Sequence, residues 1–202
     1  MKTVFSSLLF AAAATLAVVP AFAAYTYVSD PGHSFQKFSY QHLGFSHPEG
    51  RFDKTTGSIT LDLAKHTGTA DVTIAVNSIS TGVPKLDEHL QTADFFDAAK
   101  YPDITFKSHD FKFDGDKLVA VSGDLSIHGV TRPVTLEVSN FACHAHPMTK
   151  KPACGADAAA TIKRSDFGVG AYVPLVSDEV RLTLEVEGPQ QESALAKGSK
   201  AR

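Results

Sequence analysis

Three groups of side chains in this sequence are of types that do chemistry. His33, His42 and His89 fall at an expected strand start, strand end and helix. An imidazole there can act as acid, base or metal ligand, or simply tie loops together through ring hydrogen bonds. Cys143, His144, His146, Met148 and Cys154 place soft donors in one stretch, which in reduced form would suit copper or zinc. Their spacing matches no closed tetrahedral pattern. Arg164 stands two residues from Asp166, an arrangement that suits a polar headgroup or a local brace at a turn. The chain has no G-x-S-x-G elbow, H-E-x-x-H helix, phosphate loop or dinucleotide fingerprint, so binding is favoured over catalysis.

The elements that must position these groups begin after an expected export signal. Met1-Lys2 is positively charged, Val4 to Val19 is apolar and uncharged, and Ala21-Phe22-Ala23 is a small-x-small cleavage site. Residues 1–23 therefore read as a signal peptide, 24–190 as one domain and 191–202 as a polar, frayed tail. No later stretch is apolar enough for a transmembrane span. The charged residues comprise 19 Lys and Arg against 22 Asp and Glu, which argues against a nucleic-acid partner. In an exported protein, Cys143 and Cys154 read as a disulfide, in preference to metal ligands.

Period-2 alternation fills the domain. Ile59, Leu61 and Leu63 share one parity, as do Val72, Ile74 and Val76. Val119 and Val121, then Leu125 and Ile127, repeat the pattern, followed by Val134, Leu136 and Val138, and by Val180 to Val186. Such alternation marks half-buried antiparallel strands with one wet face. Turn signals at 54–57, 65–68, 114–116 and 128–131 separate about eight strands, enough for a sandwich or a barrel. The pattern breaks once, between Thr81 and Phe106. Pro84 fits an early helical position, and Tyr101-Pro102 ends the segment. One or two short helices across the sheet are expected, with Leu90, Phe95 and Phe96 pointing into it.

Several motifs in order resemble the YceI-like proteins. They include Asp30-Pro31-Gly32-His33-Ser34, His42-Leu43-Gly44, Gly50-Arg51-Phe52, Ser78 to Gly82, Asp94-Phe95-Phe96-Asp97, Tyr101 to Phe106, Gly129 to Val134 and Arg164 to Gly168. The resemblance covers nearly the whole chain after the signal segment. It implies an all-β, eight-stranded antiparallel lipocalin-like β-barrel in the bacterial periplasm, holding an isoprenoid lipid or quinone-like amphiphile without a cofactor. Phe38, Tyr40, Phe45, Ile59, Leu61, Val72, Ile74, Phe95, Phe96, Ile104, Phe106, Val119, Val121 and Phe167 are then the expected ligand-binding residues. Leu86 replaces an arginine usual in the family, and Gln36 stands where an apolar residue is usual, which would set an amide on the inward face. Two alternatives stay open: a hydrolase or isomerase using His33, His42 or His89, and a metal-handling protein using the 143–154 loop. A monomer and a homodimer both fit the sequence.

The parity itself is testable. Ile74→Asp places an unpaired charge on the inward face and should abolish folding or binding, whereas Thr73→Asp, one residue away, should do neither. Thermal melts and displacement of a bound prenol check both variants; wild-type behaviour in both would refute the assignment of faces.

Overall fold

The computed structural model describes residues 24–191. The expected signal segment and the tail beyond Gln191 lie outside the described residues. The chain is almost entirely strand. It begins with β1 (Tyr25–Val28), β2 (Phe35–His42), β3 (Glu49–Phe52), β4 (Thr55–Asp62), β5 (Thr67–Ala75) and a short β6 (Ile79–Ser80). After α1 (Pro84–Leu90) come β7 (Asp103–Asp114), β8 (Lys117–Ile127), β9 (Val130–Ala145), β10 (Pro152–Lys163) and β11 (Val176–Pro189). Short 3-10 turns, Val76–Ser78 and Arg164–Phe167, precede β6 and follow β10.

All eleven strands join one antiparallel sheet in the order β1-β4-β5-β7-β8-β9-β10-β11-β2-β3-β6. The sheet curls back on itself. The first part of β11 pairs with β2, from Val176 opposite His42 to Glu185 opposite Phe35. Its last residues meet β1: Tyr27 bridges Gln190, Gln191 N donates to Thr26 O at 2.7 Å, and Asp30 N donates to Glu187 O at 2.8 Å. Eight of the strands run from β1 round to β11, and the whole sheet has eleven where the sequence led us to expect eight. The other three form a flap, β2-β3-β6, that completes the wall at one end. β3 and β6 are too short to show an alternation in sequence, which accounts for two of the additional strands.

Two glycines let backbones and rings approach. A Cβ on Gly188 would collide with the carbonyl of Val28, where β1 crosses β11, and one on Gly50 would collide with the Phe38 ring lying over it. The β8–β9 hairpin turns through His128 and Gly129, both at positive φ (52° and 75°), as a two-residue loop requires. The signal at Lys54-Thr55-Thr56-Gly57 proves misplaced. The chain turns at Asp53-Lys54, and Thr55 to Gly57 already belong to β4. Hydrogen bonds from Asp53 N and Lys54 N to Ser78 (2.9 and 3.0 Å) fix that earlier turn.

Bulges reset the parity in the longest strands. Register shifts lie between Ser108 and Asp110 of β7 and between Lys112 and Phe113, where Val119 becomes the extra residue of β8. Phe106 and Phe111 thus both point inward, and so do Leu118 and Val121. The core runs round the inner face of the curled sheet and includes Tyr27, Phe52, Leu61, Ile74, Ile104, Leu125, Val138, Phe167 and Val169.

Closure at Gly188 generates a stability prediction. Gly188→Ala should cost about 1–3 kcal/mol or more, the usual range for overpacking, because a backbone oxygen rather than a flexible side chain must give way. Urea denaturation measures it, and a loss below about 0.5 kcal/mol, the scatter of neutral surface changes, would show that closure tolerates the methyl.

Candidate functional site

The inner face of the curled sheet does not pack solid. It encloses a cavity of about 590 Å³ whose wall is almost wholly apolar. That volume falls within the range of sites that hold a small organic molecule. Phe38, Tyr40, Ile59, Leu61, Val72, Ile74, Phe95, Phe96, Ile104, Phe106, Val121 and Phe167 all line it. Two expected residues do not. Phe45 lies in the turn after β2 and is 87% exposed, because Leu43 at φ 52° and Gly44 at φ 76° swing the chain off the inward parity. Val119 sits at the β8 bulge, and Leu118 takes the place on the wall.

The lining residues that are both apolar and open to solvent cluster at one end, which makes that end the mouth. Leu43 (46% exposed), Tyr172 (57%) and Leu175 (66%) form its rim beside His42. Leu43 N donates to Leu175 O at 3.0 Å, joining the β2 turn to the loop before β11. Helix α1 and the turns after it lie across this end, contributing Leu86, His89, Leu90, Phe95 and Phe96 to the wall. Pro84 occupies the first turn of the helix as expected. Asp87 Oδ1 accepts from Thr81 N (2.8 Å) and Thr81 Oγ1 (2.6 Å), fastening the helix to the end of β6.

The two adjacent phenylalanines have different surroundings. Phe95 belongs to an aromatic group at the rim, its ring 5.0 Å from that of His89 and 6.0 Å from that of Tyr172. Phe96 turns inward and meets Phe52 edge-on at 6.0 Å, and Phe52 in turn meets Phe38 at 5.8 Å.

Arg164 acts as a brace, with four of its five N–H donors engaged. Its guanidinium donates to the carbonyls of Ser177 (2.8 Å), Val169 (2.8 Å), Ala171 (2.7 Å) and Val176 (2.9 Å). These four acceptors span the loop that carries Tyr172 and Leu175, so the arginine holds the rim in shape. Burial pushes its pKa down, opposed by Asp178 and Tyr40. Asp166, the expected partner, does not contact the guanidinium; its carbonyl accepts from Arg132 Nε at 3.3 Å. The acidic residue that matters is Asp178, which accepts from Ser165 Oγ (2.7 Å) and N (2.8 Å). Those bonds hold its carboxyl below the usual range.

The other reactive types do not converge. His33 pairs with Asp30 at 3.1 Å away from the wall, while His42 and His89 both reach the mouth. Cys143 and Cys154 are directly opposite each other on β9 and β10 and are joined as a disulfide. His146 Nδ1 accepts from the backbone of Met148 and Thr149, both at 3.2 Å, and so shapes the hairpin tip. Gln36 does face inward, as its place in the strand implies. Thr55 Oγ1 donates to its side-chain oxygen, and both residues are buried. Thr55 was hidden by the turn signal around it, and the Tyr172–Leu175 rim by the absence of any period there.

A curled antiparallel sheet around an apolar cavity defines a barrel of the class whose interior has room for a small molecule. Within it, the chain belongs to the YceI-like family: the YceI-like domain matches residues 27–188. Protein YceI of Escherichia coli O157:H7 is 39% identical over 188 residues, covering 93% of this chain and 95% of its own. The crystal structure of Burkholderia cenocepacia BcnA superposes with a TM-score of 0.67 at 28% identity, covering 79% of this chain and 99% of that one. A polyisoprenoid-binding domain from Saccharophagus degradans, implicated in plant cell wall breakdown, shares the fold with a TM-score of 0.63 at 18% identity. That match covers 84% of this chain and the whole of the domain.

The contrast between Phe95 and Phe96 is expected in kinetics and stability. Phe95→Ala should mainly speed escape of an apolar fluorescent probe, since contacts at a mouth act on dissociation. Phe96→Ala should mainly lower the melting temperature, by less than the about 3–5 kcal/mol typical of a fully buried phenylalanine. Stopped-flow release and thermal melts of both variants check this; equal effects of the two on both measures would make the segment a plug with no gate.

Proposed function

We propose that this protein is a periplasmic carrier that holds an isoprenoid lipid or a similar uncharged amphiphile, such as a quinone-like molecule, inside the barrel. The observation that carries this reading is the cavity of about 590 Å³, with apolar walls and an exposed apolar rim at Leu43, Tyr172 and Leu175. Enclosing about 400 Å² of a prenyl chain contributes on the order of 10 kcal/mol gross. Association costs of roughly 4–15 kcal/mol then leave micromolar-class affinity without any charge pair. The polyisoprenoid-binding domain of the same fold supports the chemistry. The apolar, cleavable-looking segment at 1–23 supports the compartment. Holding is favoured over turnover because the strongest polar group at the wall, Arg164, spends its donors on four carbonyls.

Native mass spectrometry of the protein recovered from its own periplasm, followed by lipid extraction, tests the proposal. The expected result is a non-covalent adduct that extracts as a neutral long-chain lipid and is displaced by an added prenol. An adduct-free protein that also fails to bind added prenols, or recovery only from the cytoplasm, would overturn it.

A further inference from the structure

Besides Ser29, whose buried hydroxyl has no hydrogen-bond partner, the wall carries a polar side chain with a donor left over. Gln36 is 7% exposed, lines the cavity and lies opposite Phe52 of β3 and Leu184 of β11. Its side-chain oxygen is taken by Thr55 Oγ1, which fixes the amide so that the oxygen is already engaged. Its NH₂ group has no hydrogen-bond partner among the described residues. That group is open to the cavity, where a bound molecule can reach it. The inward neighbours on its own strand, Phe38 and Tyr40, offer it no bond, and Phe52, Leu184 and Ile74 around it are hydrocarbon or aromatic.

We infer that the Gln36 amide is a specificity contact: it donates to an uncharged acceptor oxygen on the bound molecule, a ketone or quinone carbonyl in preference to a plain hydrocarbon. The inference rests on the carrier reading above and narrows it. Geometry also gives the orientation. Gln36 is six residues from His42 at the mouth, about 20 Å along the strand at strand rise. A molecule whose oxygen reaches it must enter oxygen-first and leave its apolar chain along Phe38 and Tyr40 towards the rim. A charged headgroup is excluded at that depth, because the surrounding wall offers no counter-charge and an unpaired buried charge is costly. With the Thr55 hydroxyl on the amide oxygen, the NH₂ group is the donor left for the ligand, and it serves an uncharged acceptor oxygen where a hydrocarbon offers none.

The test uses the full chain after export and three probes of equal length: a prenyl methyl ketone, a prenyl alcohol and the prenyl hydrocarbon. Titration should show wild-type protein preferring the ketone to the hydrocarbon by about two- to tenfold, the worth of one neutral hydrogen bond. Gln36→Leu should erase that preference while binding the hydrocarbon at least as well. Gln36→Met serves the same purpose if the leucine variant melts low. Wild-type protein that binds all three probes equally, or a Gln36→Leu variant that keeps the ketone preference, would overturn the amide's role and leave the carrier reading intact. Failure of wild-type protein to bind any of the three would overturn both.

Discussion

Strand β11 makes two pairings that the rest of the structure depends on. Val176 and then Val180 to Glu185 pair with β2, and its last few residues are shared with β1, so one strand both continues the sheet and closes it. The crossing is possible only because Gly188 has no side chain to strike the Val28 carbonyl. Without it the alternating strands would still form an antiparallel sheet, but its apolar face would lie open. Closure converts that face into an interior, and it leaves the interior partly empty because the strands are held apart by their own ring.

The emptiness is regulated from two sides. Around the wall, bulges in β7 and β8 change which residues face inward, so that Phe106, Phe111, Leu118 and Val121 all contribute although no single parity contains them. At the mouth, Arg164 fastens the 169–177 loop through four carbonyls, and the Leu43–Leu175 bond ties that loop to the β2 turn. A desolvated cation is an expensive brace, offset here by four carbonyl acceptors. It keeps exposed apolar side chains, Tyr172 and Leu175, on a rim where water alone would favour their collapse. At the far side of the ring, the Cys143–Cys154 disulfide ties β9 to β10.

Polar groups at the wall divide by what they do. Arg164 is spent on structure, and Tyr40, whose hydroxyl pKa is raised by burial against the pull of Arg164, is part of the same end. Gln36 and Thr55 sit deeper, bonded to each other, in a region otherwise built from hydrocarbon and aromatic rings. A cavity of this kind discriminates weakly by shape and more by where it places its few donors and acceptors. We therefore place the selectivity of the proposed carrier in Gln36 and its affinity in the apolar wall.

By itself the sequence determined the fold class, because alternation at period 2 is a local property: Ile59 and Leu61, Val72 and Ile74, and Val180 to Val186 all face inward as their spacing requires. It also determined the helix at Pro84 and most of the lining, since a side chain's face follows from its neighbours along the same strand. Tertiary structure decided the remainder. Val119 and Phe45 leave the wall because a bulge and a pair of left-handed residues shift the register, and neither is visible in the pattern of apolar residues. The rim at Leu43, Tyr172 and Leu175 is assembled from two loops far apart in the chain, joined only by a long-range hydrogen bond. Arg164 became a brace rather than a headgroup contact for the same reason: its acceptors are backbone carbonyls, which every residue carries and no sequence motif can mark.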